Sequence, residues 1–561
     1  LKYYLYIKNH YLRDGFFIFI TNQSYMLTKS DKSKLRSTIF RHLDGIATSA
    51  SAYALHKKDV LNYILKHQEV TLKTLSDTFN ANEGYLNVAL RVICSQGWLE
   101  QHLDNNTNAI TYSVNKNSSV AFKLIHLYED AIHLLKYSDR FAHEKTISTD
   151  AFIVLERIFK RFETNYDIEV SNEDSIEYQI LKHIEGVIAG PIIVLLGVNG
   201  LFHKYFMEAS FTAEEYHKNP ESFKKILDFL AHLGWFIKKK NTYQFTDKGL
   251  FFAKRASAYG VTVSYVPTFL QLDELIFGNP LVLKIASPED TEKHVHREMN
   301  VWGSGGAHTT YFKVIDEVII DLFNRPIDKQ PKGILDMGCG NGAFIEHIFN
   351  VIDQQTLRGK LLDEHPLLLV GADFNKAALK VTRANLIKAD IWAKVIWGDI
   401  GRPDLLASDL KEDYNIDLND LLNVRTFLDH NRVWEAPKHN YNFISNSSGA
   451  YAHNGKMLSN IAVEASLLEH LSKWKPYVEK FGLLIIELHT INPKLTSENL
   501  GKTPATAYDA THGYSDQYIL EVDVFREVAT KAGLKPDDSH FARFPDSELA
   551  TVSINLLKGD F

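Results

Sequence analysis

From Gly333 to the end of the chain, short apolar runs alternate with segments of helical spacing. The runs are GILDMG, LLLVGADF, AKVIWGDI, DLLNVRTF, GLLIIELHTI and ATVSINLLKG, and each reads as a strand. Strand alternating with helix predicts an α/β fold: a mostly parallel sheet with helices on both faces, its ligand at the carboxyl ends of the strands. Before Gly333 the pattern is mostly helical. DVLNYIL and LKTLSDTF read as short helices, and NEGYLNVALRVICSQG sets Leu86, Leu90 and Ile93 at helical spacing. WLEQHLDNNTNAITYSV then predicts two strands turning at Asn105-Asn106. Helices followed by a hairpin make residues 56–114 a winged helix. The pattern recurs in part in Glu221–Gly249, and a helical stretch, 120–193, lies between the two modules.

These patterns divide the chain into an extension (1–25), a winged-helix-like and helical region (26–175), a second winged-helix-like or lid region (176–283) and the α/β region (284–561). The apolar segment Ile188–Phe202 is too short for a bilayer and is interrupted by Pro191, Gly197 and Gly200, so a buried helix pair is expected. Residues 1–25 are aromatic without a cleavage signal, and Met26 is a natural start; the extension is expected to be loosely packed or artefactual.

Composition narrows the function. The chain is 45% hydrophobic and 23% charged with a net charge of −7, an ordinary globular balance with no general basic field for nucleic acid or anionic membrane. A winged helix invites a DNA-binding reading. Within His56–Asp104, however, Lys57, Lys58, Lys66, Lys73 and Arg91 are outnumbered by Asp59, Glu69, Asp77, Glu83, Glu100 and Asp104. The would-be recognition helix carries Arg91 alone, and phosphate contacts need a positive face. A packing or dimerisation module is therefore expected, with a homodimer as one outcome. The two cysteines, Cys94 and Cys339, suggest no disulfide framework and place the protein in the cytoplasm.

The stretch GILDMGCGNGAFIEHIF carries the candidate chemistry. Gly338, Gly340 and Gly342 let the backbone turn tightly and approach a ligand, with Asn341 among them. Alone this is a weak signal, because dinucleotide sites use the same device. Asp336 precedes the glycines, where a carboxylate can face a cationic methionine group. Asp373, beside Phe374, ends the next strand and can accept from ribose hydroxyls. Asp399 ends the third, suited to an adenine amino group, with Ile400 beside the ring. Any one of these acids could instead cap a helix. Three at successive strand ends favour S-adenosylmethionine.

These residues resemble the class I S-adenosylmethionine-dependent methyltransferases over Lys284–Phe561, which implies a Rossmann-like core. The phrases HVHREMNVWGSGGAH (His294–His308), TFLDHNR (Thr426–Arg432) and AYDATHGYSDQYILEVDVF (Ala507–Phe525) narrow the likeness. They resemble the carbon methyltransferase domains of polyketide synthases, in particular the metal-dependent loading-module type of the apratoxin assembly line. The resemblance implies methylation of a malonyl-type thioester, with His489 and Gln517 binding iron or manganese. No synthase or carrier domain is read in this chain, so an acyl carrier protein would be a separate partner. Carbon methylation needs a base for the departing proton. His430 is the candidate; in a metal-free enzyme His430 or His489 would act directly as base, helped by an acid such as Glu487. Arg432 is read either as a clamp for a substrate carboxylate or as a structural salt bridge, and His308 as a cofactor-positioning residue. Two other functions remain open: a small-molecule O-methyltransferase with an N-terminal dimerisation domain, and a ligand-sensing transcription regulator on a methyltransferase-like fold.

Overall fold

The computed structural model describes residues 27–104, 109–141, 148–206, 210–284, 292–441 and 444–559, with 140–141 and 306–310 described by backbone alone. The extension at 1–25, the turn at Asn105-Asn106 and the His308 side chain lie outside this description.

Helix α1 (Lys29–Lys57) begins at a reciprocal cap: the Thr28 hydroxyl accepts from Asp31 N–H and the Asp31 carboxylate accepts from Thr28 N–H. The first winged helix follows as α2 (Val60–His67), β1 (Glu69–Thr71), α3 (Leu72–Phe79), α4 (Glu83–Ser95), β2 (Glu100–Asp104) and β3 (Ala109–Ser113), in sheet order β1-β3-β2. Helix α4 holds the recognition position but is buried from Gly84 to Ser95. A helix apolar on all sides lies between layers, and this one offers no face to a groove.

Helix α5 (Ile176–Val198) and a five-residue helix at Leu201–Tyr205 make the apolar segment a buried helix pair, with its break later than two of the three expected positions. α5 runs through Pro191 and Gly197, and the chain breaks only at Gly200, φ 78°. Its 23 residues are long and apolar enough to cross a membrane, yet 83% of its most apolar window is buried within the protein. That packing outweighs the roughly 3 kcal/mol cost of an internal proline. α5 crosses α1 at two glycines: a Cβ on Gly186 would lie 2.5 Å from His42 Cα, and one on Gly45 2.3 Å from His183 Cα. The second module has β4 (Phe211–Thr212), α6 (Pro220–His232), β5 (Phe236–Lys239) and β6 (Thr242–Phe245), ordered β4-β6-β5.

Helix α7 (Arg297–Phe323) leads into the α/β core. Its elements are β7 (Gly333–Met337), α8 (Ala343–Gln355), β8 (Leu368–Asp373), α9 (Lys376–Lys388), β9 (Lys394–Trp397), α10 (Pro403–Tyr414) and β10 (Leu421–Thr426). A small hairpin follows, β11 (Tyr451–His453) and β12 (Lys456–Leu458), then α11 (Asn460–Val478), β13 (Leu483–Leu488), α12 (Ala505–Gly513), α13 (Val522–Lys531), β14 (Leu534–Pro536), β15 (Ala542–Phe544) and β16 (Val552–Gly559). The sheet order is β14-β16-β13-β10-β7-β8-β9, with β15 also paired to β16. Strands β9, β8, β7, β10 and β13 are mutually parallel, and β16 runs antiparallel to β13. Strand order reverses between β7 and β10, so a crevice opens over their carboxyl ends. THGYSDQY, expected as a loop before a strand, instead ends α12 and leads to α13.

Candidate active site

The glycine loop leaves β7 with Asp336 behind it. Asp336 is buried, its Oδ1 lacks a hydrogen-bond partner, and burial together with the Asp373 charge raises its carboxyl to about 7. Gly338, Gly340 and Gly342 have φ of 83°, 54° and 82°, the left-handed region that favours glycine. A Cβ on Gly340 would meet nothing nearer than the Gly338 carbonyl oxygen at 3.9 Å, so the loop edges open space. Asp373 Oδ2 accepts from Gly340 N–H at 3.0 Å and Oδ1 from Asn375 N–H at 2.8 Å. Asn341 Oδ1 accepts from Ala343 N–H at 3.1 Å, which starts α8. Asp399 lies two residues past β9, and its Oδ1 caps the following turn through Gly401 N–H at 2.8 Å. Ile400 is half-buried, its carbonyl accepting from the Trp474 indole. Phe374 is 64% exposed and packs near Trp397, whose indole N–H donates to the Phe374 carbonyl. The three acids thus stand at the ends of adjacent strands around an open glycine edge. A carboxylate with an orphaned oxygen, a cradle without Cβ atoms and an exposed aromatic wall fit S-adenosylmethionine. Trp397 was not read from the sequence; an aromatic residue closing β9 was the available signal.

The second half of the site follows β10. Phe427, φ 55°, turns the chain into Asp429–Asn431. Asp429 Oδ1 accepts from Arg425 Nη1 at 2.5 Å and His470 Nε2 at 3.0 Å. The Arg425 guanidinium stacks 4.0 Å over Trp474. Although burial works to raise its pKa, this pairing holds the Asp429 carboxyl down at about 2 and anchors the turn. His430 then meets Glu487, the penultimate residue of β13. His430 Nδ1 lies 2.5 Å from Glu487 Oε1, and its backbone N–H donates to Oε2 at 3.1 Å. An imidazole held by a carboxylate keeps its proton on Nδ1 and presents Nε2 as a bare base. His512, on α12, lies edge-on to His430 with ring centroids 5.0 Å apart. Its Nδ1 donates to the Tyr508 carbonyl at 2.8 Å, leaving Nε2 as its acceptor. Burial, then the neighbouring His430, pushes its pKa down to about 3. In the sequence His512 was only one polar residue of a supposed loop.

His489 and Gln517 do not form the expected metal pair. His489 Nδ1 donates to the Leu520 carbonyl at 2.9 Å, so Nε2 must accept from the Ser553 hydroxyl at 2.6 Å. No lone pair remains for iron, manganese or a proton from substrate, and burial lowers its pKa to about 4. The Gln517 amide nitrogen sits 3.5 Å from the Tyr265 hydroxyl. Among the described residues no group of three or more His, Cys, Asp or Glu is placed to hold a metal ion. Arg432 makes no salt bridge among the described residues: it is buried and donates to the backbone carbonyls of Asp429 and Val463 at 3.0 and 3.1 Å, with its Nε unpaired.

Three family models match successive parts of the chain: an AprA N-terminal domain at 35–101, an AprA winged helix domain at 185–279 and an AprA MT2-like domain at 292–555. The chain is an S-adenosylmethionine-dependent methyltransferase of the AprA type. The MT2-like match of this AprA-type enzyme spans both the glycine loop and the His430–Glu487 pair. No curated protein matches the chain. Solved structures similar to it include an O-methyltransferase family protein from Burkholderia thailandensis (12% identity, 66% of this chain and 95% of that one, TM-score 0.35). Others are an O-methyltransferase family 2 protein from Planctomyces limnophilus in complex with apigenin (11%, 93% and 96%, 0.36) and the CurJ carbon methyltransferase (11%, 77% and 100%, 0.31).

Proposed function

We propose that this AprA-type enzyme methylates carbon, at the position next to the carbonyl of a malonyl-type acyl thioester or related 1,3-dicarbonyl. The observation that carries the reading is the buried imidazole of His430 held by Glu487 at 2.5 Å, at the strand ends beside the glycine loop. S-Adenosylmethionine, when bound, supplies the methyl group on its sulfonium. His430 Nε2 takes the proton as the substrate C–H bond breaks, and the electron pair passes into an enolate. The enolate carbon would then take the methyl group from the bound sulfonium, whose sulfur would keep the electron pair of the broken bond. Glu487 stabilises the imidazolium formed meanwhile. The thioester rides on an acyl carrier protein in the cytoplasm, where Cys94 and Cys339 stay reduced.

The test is transfer from S-adenosylmethionine to malonyl-S-N-acetylcysteamine, with the methyl position read by mass spectrometry and NMR. A methyl on the α-carbon is expected. Transfer to oxygen of a hydroxylated acceptor, with the malonyl thioester untouched, would replace this reading with the O-methyltransferase.

A further inference from the structure

Arg91 is the sole basic residue of the helix that would read DNA in a winged helix, and the structure buries it in the methyltransferase core. Helix α4 lies antiparallel along α12 and the turn after it. Tyr85 donates to Asp516 at 2.8 Å, Val88 packs on Gly513, Arg91 Nε donates to Asp509 at 2.8 Å, and Ser95 and Gln96 meet Thr506 at 2.9 Å. Ascending positions on α4 meet descending positions on α12, so the two are in one register along the whole contact. His512 sits three residues from Asp509 on that helix.

The guanidinium reaches further. Arg91 Nη2 donates to Thr490 Oγ1 at 2.8 Å and the Ile491 carbonyl at 2.7 Å, and Nη1 donates to the Ser448 carbonyl. Thr490 in turn donates to Asp509 Oδ1 at 2.5 Å. One side chain therefore ties together the segment after β10, the segment after β13 and helix α12. The first of these carries His430, α12 carries His512, and the second continues directly from β13, whose penultimate residue is Glu487. A planar fork of five donors suits this work in a way a lysine ammonium does not.

We propose that Arg91 is a positioning residue of the methyl-transfer site, fixing α12 so that His512 stands edge-on to His430, and that the recognition helix of the winged helix is thereby part of the active-site frame. This rests on His430 as the base. The cofactor-facing acids stand on β7, β8 and beyond β9, away from this tie.

The experiment uses the full chain with histidine labelled at Cε1, and Arg91→Ala and Arg91→Lys variants. The protein has 24 histidines, so the two signals are assigned with His430→Gln and His512→Gln. In Arg91→Ala both signals should move, and His512 should begin to titrate between about pH 5 and 8. Calorimetry should find S-adenosylmethionine affinity unchanged. Turnover of malonyl-S-N-acetylcysteamine should fall by about a hundredfold through kcat, and Arg91→Lys should recover part of it. Should Arg91→Ala fail to fold, Thr490→Val removes one acceptor of the fork and the same two signals are read. Native histidine signals in a folded variant overturn the proposal, as does a shift accompanied by loss of cofactor binding, which marks a general loosening of the core. The spectra need no acceptor, so a native enzyme that leaves the malonyl thioester untouched refutes the functional reading alone.

Discussion

Binding of S-adenosylmethionine should depend on pH through Asp336. This carboxyl is buried with one oxygen unpaired, and its pKa rises from 3.8 to about 7, first by burial and second by Asp373. A cationic ligand needs the ionised form, so below pH 7 binding must first expel a proton. The affinity penalty, one plus ten to the power pKa minus pH, is about thirtyfold at pH 5.5 and about twofold at pH 7. Affinity should therefore rise about fifteenfold across that window. It levels off near about pH 7.7, where the ligand's own α-amino group begins to lose its proton. Calorimetry at pH 7 in buffers of different ionisation enthalpy should read release of about half a proton per ligand. Stability of the ligand-free protein carries the matching sign. An acid with a raised folded pKa contributes stability below its unfolded value of 3.8, and that contribution is lost as pH rises through about 7. Asp336→Asn should abolish both the slope and the proton release. An affinity flat from pH 5.5 to 7, or a slope that survives in the Asn variant, refutes the reasoning.

Gly340→Val should abolish cofactor binding in calorimetry, because a branched side chain at φ 54° is strained and fills the open edge of the loop; unchanged affinity would sink the loop assignment. Glu487→Gln should lower methyl transfer by about 10²–10⁴-fold without changing cofactor affinity, since a neutral amide cannot hold the imidazolium; near-native turnover would remove His430 from the mechanism. His489→Ala should leave any metal content unchanged and cost about 2–4 kcal/mol in denaturant melts, as two buried hydrogen bonds are lost; metal stoichiometry that falls with the substitution would restore His489 as a ligand. A fragment of residues 284–561 strands Asp509 without Arg91, a loss of about 3–5 kcal/mol for a broken buried pair; a stable, fully active fragment would show that the front half is dispensable.

The central runs were legible because both faces of the sheet are covered there, which leaves β7 and β13 buried almost throughout and mostly apolar. Strands β14 and β15, three residues each, carry no periodic signal of their own. The strand-end rule brought His430, Glu487 and His489 into view but could not say what each would touch. His489 continues the ladder, donating its N–H to the Thr551 carbonyl, and its ring falls against Ser553. Glu487 instead turns to the segment after β10. The partner that separates them is β16, more than sixty residues on, and the β13–β16 register is long-range information that local spacing does not contain. The helix of His512 was missed for a related reason. Its polar residues suggest a loop, but Gly513 lets α4 approach closely and the tertiary contact outweighs local preference.

The same seam decides whether the front half of the chain acts as a swinging cover. A cover was expected because carbanion-like intermediates must be kept from water. Burying the Arg91–Asp509 pair carries a desolvation cost, which its geometry offsets only while the remaining donors are satisfied. Here the Ser448 and Ile491 carbonyls and the Thr490 hydroxyl satisfy them. An opening motion at α4 would break all of these bonds together and leave a charge on each wall. Nearby, Tyr85 and Lys284 converge on Asp516 from the winged helix and from the residues that lead into the core. Both ends of α12 are thus pinned from the N-terminal side. Parting α4 from α12 would cost these bonds together, so access to His430 is expected beside this contact.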